Sequence, residues 1–77
     1  MKERIIEILS NVRADVDFEK ETELVSGNIL ESFDIVDIVS ELDDEFDIEI
    51  GPKELKAENF DSVDAIQALV ERLMGDE

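Results

Sequence analysis

Residues 32–46 read Ser-Phe-Asp-Ile-Val-Asp-Ile-Val-Ser-Glu-Leu-Asp-Asp-Glu-Phe. Ile35, Ile38, Val39, Leu42 and Phe46 recur at helical spacing and form one continuous apolar stripe. At about 100° per residue, Phe33, Asp37, Ser40 and Asp44 lie roughly opposite that stripe, with Val36 on its shoulder. The segment therefore predicts a helix with one face for a core and another for solvent, the latter carrying a large aromatic and a valine among acids. Isolated exposed apolar residues are common and need no explanation, so this outer face becomes informative only together with its charge.

Outward from this helix the same spacing recurs twice. Ile5, Ile8, Leu9 and Val12, with Ile6 beside them, mark one face of a helix over residues 2–14. Val63, Ile66, Leu69, Val70 and Leu73 mark another, opened by Asp61-Ser62 and ended by Gly75. From Asp15 to Glu31 the periodicity fails. That is a long loop for a small domain, and such loops pack their own apolar residues or carry function; Leu24 and Leu30 are the residues expected to reach the core. Ile48 and Ile50 follow the central helix in an extended link. Gly51-Pro52 then suits the start of a short third helix through Leu55, because proline tolerates the first helical turn. The expected fold is all-α, a single domain over residues 1–77: a small four-helix bundle with a long loop after the first helix and a short third helix.

Composition narrows the chemistry. The 77 residues hold 23 acids against 7 bases, a formal charge of −16. Binding to a nucleic-acid backbone needs Lys and Arg to displace counterions, so neither nucleic acid nor an anionic membrane surface is an expected partner. The chain contains no Cys and no His. Disulfides, thiolate metal sites, ordinary zinc sites and the Ser-His-Asp and Cys-His constellations are thereby excluded. A self-sufficient enzyme is not expected. The 43% apolar content falls in periodic blocks, which argues against the disorder that high charge and few aromatics otherwise suggest. No apolar run approaches the roughly 20 residues of a membrane span and no signal-peptide core opens the chain. A cytoplasmic monomer is the expectation.

Between Glu21 and Pro52 there are eleven acids and no Lys or Arg. Within residues 32–46, Asp34, Asp37, Glu41, Asp43, Asp44 and Glu45 have no basic i+4 partner. Such a strip either keeps a small protein solvated or steers basic patches of partner proteins toward it. A calcium loop of the EF-hand type is excluded. It needs glycine at its sixth position, and frames opening at Asp43 and Asp15 place Ile48 and Lys20 there. No dedicated metal site is expected.

Ser32 stands where the loop meets the acidic helix. Its bland role is to cap the helix, since serine is a preferred N-cap; Ser62 has the same claim at the last helix. The full string around Ser32 distinguishes the two. Ile29-Leu30-Glu31-Ser32-Phe33-Asp34-Ile35-Val36-Asp37-Ile38-Val39, then Asp43-Asp44-Glu45-Phe46-Asp47-Ile48, resembles the acyl/peptidyl carrier protein family. There an Asp-Ser-Leu or Asp-Ser-Phe motif opens the second helix, and an acidic Glu-Glu-x-Phe-x-Ile segment follows. The resemblance extends over essentially the whole chain.

It implies that Ser32 carries 4′-phosphopantetheine, transferred from coenzyme A by a separate Mg²⁺-dependent phosphopantetheinyl transferase. The arm brings its own thiol, which holds an acyl or aminoacyl group as a thioester and raises its effective concentration at loading and acceptor enzymes. Fatty-acid and nonribosomal peptide synthesis are the processes it points to. Partners of the family dock on the second helix, at positions matched here by Phe33, Asp34, Val36, Asp37, Ser40 and Asp44. The chain departs from the pattern at Glu31, where the family has an Asp that helps place the metal. The charge is kept with one methylene more reach. Phe33 is more reminiscent of D-alanyl and peptide-synthetase-associated carriers than of fatty-acid carriers. The rival expectations are an acidic interaction module that mimics nucleic acid and a carrier-like adaptor without an arm.

Overall fold

A computed structural model describes residues 2–75. Four helices follow one another: α1 (Lys2–Val12), α2 (Ser32–Phe46), α3 (Ala57–Phe60) and α4 (Val63–Leu73), with a 3₁₀ turn at Pro52–Glu54. No strand occurs among the described residues. The fold is a small helical bundle with a long loop after α1 and a short third helix, as the sequence predicts. α1 packs against both α2 and α4, and α3 packs on α4.

The apolar stripes meet in one core. Ile5, Ile8 and Leu9 of α1, Ile38 and Leu42 of α2, and Val63, Ile66, Leu69 and Val70 of α4 are all buried. The α2 stripe is less uniform than its spacing implies. Ile35, Val39 and Phe46 pack against the core edge and are only partly buried. α1 stops at Val12, two residues short of the expected end, where its apolar spacing also stops. Arg13 closes the last turn through its N–H on the Leu9 carbonyl (2.9 Å) and sends its side chain elsewhere.

The loop of residues 13–31 is packed rather than slack. Leu24 and Leu30 enter the core as expected, and Phe18 joins them. The Leu24 carbonyl accepts the N–H groups of both Ile29 (3.0 Å) and Leu30 (2.7 Å), and its own N–H donates to the Asp61 carbonyl (2.8 Å). Asp61 also latches the loop through its carboxylate, which accepts from the Val25 N–H (2.9 Å), the Ser26 N–H (2.8 Å) and the Ser26 hydroxyl (2.7 Å). Those bonds, the Ser26 hydroxyl first among them, hold its carboxyl below the usual carboxylate range.

After α2 the chain turns on Asp47, whose left-handed backbone (φ 55°) returns its N–H to the Asp43 carbonyl. Asp occupies this conformation more readily than most non-glycine residues. The Asp43 carboxylate then accepts the Ile50 N–H (3.1 Å), and Ile50 is buried. The short third helix departs from its expected place. Gly51-Pro52 opens only a 3₁₀ turn, and Leu55 is exposed. The helical turn proper comes later, at 57–60, where Phe60 supplies a fully buried side chain that residues 52–55 lack.

Candidate functional site

α2 begins where the packed loop ends, and its first residue is Ser32. The capping position belongs to Glu31, whose backbone is extended (φ −104°, ψ 171°), so Ser32 is not the cap. Its side chain is exposed and makes no hydrogen bond among the described residues. The other candidate behaves oppositely: Ser62 caps α4, its hydroxyl oxygen accepting the Ala65 N–H at 3.1 Å. Of the two serines at helix starts, one has a structural task and the other has a free hydroxyl.

Glu31 is exposed beside it, and its N–H donates to the Asp34 carboxylate at 3.1 Å. The N–H groups of Ser32 and Phe33 in the first turn have no intrahelical carbonyl to bond, and the dipole of a helix places partial positive charge there. An open hollow of about 560 Å³ lies against this end of α2. It is lined by loop residues Val25, Asn28 and Leu30 and, from the start of the helix, by Ser32, Phe33 and Ile35.

The five positions that helical geometry assigns to the outer face of α2 are all exposed. Phe33 is 63% exposed and Val36 65% exposed. Asp37, Ser40 and Asp44 are exposed along the same face. Asp34 is the correction. Expected on the docking face from the resemblance alone, it is instead buried, and Arg13 Nη1 lies 2.9 Å from its Oδ2. The side chain of the third helical residue turns back toward the cap and inward, while its neighbours Phe33 and Val36 point out. Asp34 therefore belongs to the support of the helix rather than to its presented surface.

The charge map changes in space as well. Two of the α2 acids that lack a basic partner in sequence find one near or on α1: Asp34 pairs with Arg13, the residue just after α1, and Glu45 pairs with Arg4 of α1 at 2.7 Å. The Arg4 hydrogen bond holds the Glu45 carboxyl below its ordinary range. Arg13 likewise depresses Asp15, which it contacts at 3.1 Å. Asp37, Glu41 and Asp44 gain no such partner among the described residues. Unneutralised acids thus remain along the face of α2 that also exposes Phe33 and Val36.

Among the described residues, no helix is long and apolar enough to cross a membrane. The family models, curated proteins and solved structures compared with this chain give no match.

Proposed function

We propose that the chain is a freestanding carrier protein that holds an acyl or aminoacyl group as a thioester on a 4′-phosphopantetheine arm attached to Ser32. The observation that carries this reading is the free, exposed hydroxyl of Ser32 in the first turn of an acidic helix, beside exposed Phe33 and Val36. The residues present fit the group. The first-turn N–H groups and the dipole end favour a phosphodiester despite the surrounding acids, and the lining of the hollow against Ser32 includes apolar Val25, Leu30 and Ile35. The arm supplies the thiol that this chain lacks. Its attachment is a displacement at phosphorus: the Ser32 Oγ–P bond forms, the diphosphate P–O bond of coenzyme A breaks, and adenosine 3′,5′-bisphosphate leaves. The hydroxyl proton passes to a base on the transferring enzyme. Phe33, Val36, Asp37, Ser40 and Asp44 form the surface for basic, partly apolar patches of that enzyme and of loading and acceptor enzymes.

The test is intact mass after incubation with coenzyme A, Mg²⁺ and a broad-specificity phosphopantetheinyl transferase. Gain of one arm in the wild type and none in Ser32→Ala supports the reading; a gain that survives Ser32→Ala refutes the site. A second reading, a carrier-like adaptor without an arm, is favoured by Glu31, because that position caps α2 with one methylene more than the family's Asp. Modification that appears only after Glu31→Asp assigns the chain to this second class. No modification of either form, together with salt-sensitive binding to a DNA-binding protein, points to an acidic mimic of nucleic acid.

A further inference from the structure

Asp34 is the one buried charged residue among those described, and it lies two positions after Ser32. Its partner Arg13 is only partly buried, and burying a carboxylate for such a pair contributes little net stability, because desolvation offsets much of the Coulomb attraction. Its placement here calls for another reason, and the bonding supplies one. Arg13 Nη1 donates both to Asp34 Oδ2 (2.9 Å) and to the Ile29 carbonyl (3.1 Å). The same Asp34 oxygen accepts the Glu31 N–H at 3.1 Å. One nitrogen and one oxygen thereby fix the chain at residues 29 and 31, just before Ser32, and at residue 34, just after it. The remaining donors of the guanidinium, Nε and Nη2, are occupied by Asp15 at 3.1 and 3.3 Å, which orients Arg13 toward the clasp. Among the described residues the Ser32 side chain makes no hydrogen bond, so its hydroxyl is placed by the backbone on either side.

We infer that Arg13 and Asp34 are positioning residues that hold the Ser32 hydroxyl in the pose needed for its modification. The inference rests on the reading of Ser32 as the attachment point. It goes beyond stabilisation because the clasp surrounds the reacting serine, whereas the Arg4–Glu45 pair (2.7 Å) ties α1 to the far end of α2. Loss of either pair loosens the bundle, but only loss of the first frees the backbone around Ser32.

The experiment is steady-state arm transfer from coenzyme A, with carrier concentration varied, at a temperature where circular dichroism shows every variant folded. Arg13→Gln and Asp34→Asn are expected to lower kcat roughly tenfold to a hundredfold, the range that misplacement of a reacting group produces. KM for the carrier should stay within about twofold, since the presented face is untouched. Arg13→Lys, which keeps a charge toward Asp34, recovers part of the rate. Arg4→Gln leaves kcat at the wild-type value even where it lowers the melting temperature as much as Arg13→Gln does. A wild-type kcat in Arg13→Gln overturns the clasp, as does an Arg4→Gln variant slowed equally. Failure of the wild type itself to accept an arm overturns the attachment reading, and the clasp falls with it.

Discussion

Leu24→Ala tests whether the loop that delivers Ser32 is part of the fold. Leu24 lies outside every helix, yet its side chain is fully buried (0% exposed), so truncation forfeits the whole transfer free energy of the atoms removed. At about 0.8 kcal/mol for each of three carbon groups, that is about 2.4 kcal/mol. The cavity left behind brings the cost to about 3 kcal/mol or somewhat more. The backbone bonds of residue 24 to Asp61, Ile29 and Leu30 do not depend on the side chain, and they limit collapse of the loop into the cavity. A domain of this length has about 4–12 kcal/mol in total, so one loop residue commands a large share. The melting temperature should fall by roughly 12–24 °C, taking about 4–8 °C per kcal/mol. Thermal and urea unfolding followed by circular dichroism measure this directly, with Leu55→Ala as the exposed-leucine control. A Leu24→Ala loss no greater than that of Leu55→Ala would mean that the loop is not anchored by this residue.

Three further outcomes follow from the same geometry. Ser62→Ala should cost about 1 kcal/mol for a lost cap, whereas Ser32→Ala should be neutral within about 0.5 kcal/mol; equal losses in unfolding experiments contradict the assignment of cap and free hydroxyl. The Asp61 carboxyl is held below its ordinary range by Ser26 and the loop N–H groups, so its folded-state pKa is depressed. Its contribution is present above the unfolded-state pKa of about 3.9 and is lost as pH falls through the lower folded value. The melting-temperature gap between wild type and Asp61→Asn should accordingly be constant near neutrality and close as pH drops below about 4; a gap that widens on acidification has the wrong sign. Finally, the unpaired acids Asp37, Glu41 and Asp44 repel one another along α2, and added salt or Mg²⁺ should raise the melting temperature by screening them. Identical melting across a wide range of ionic strength refutes that repulsion.

How far the sequence foretells this molecule depends on the range of the interaction involved. Periodicity is local, and it locates α1, α2 and α4 with nearly correct ends. It also places Phe33, Val36, Asp37, Ser40 and Asp44 on one exposed face. Leu24 and Leu30 are legible because apolar residues in an aperiodic polar stretch need a destination. Phe18 and Phe60 are apolar residues of the same kind, and each stands alone, with no repeat to signal that it enters the core. The Gly-Pro pair marks a start correctly but cannot say that 3₁₀ geometry will satisfy it, leaving the helical turn to the segment anchored by Phe60. The burial of Asp34 escapes local reading entirely. Its partner Arg13 lies 21 residues away, and Arg4 lies 41 residues from Glu45. Both pairs follow from the way α1 and the residue just after it pack against α2, and no helical-spacing rule reaches them.

The central claim is that one serine among several is the anchor of a prosthetic arm, and site mapping by fragmentation tests it most directly. Cleavage after Lys20 and Lys53 releases a peptide that contains Ser26, Ser32 and Ser40 together, while Ser62 falls in another. After transfer from coenzyme A, fragment ions that place the added phosphopantetheine on Ser32 are the predicted result. Label on Ser26, Ser40 or Ser62, or none anywhere in the chain, contradicts it.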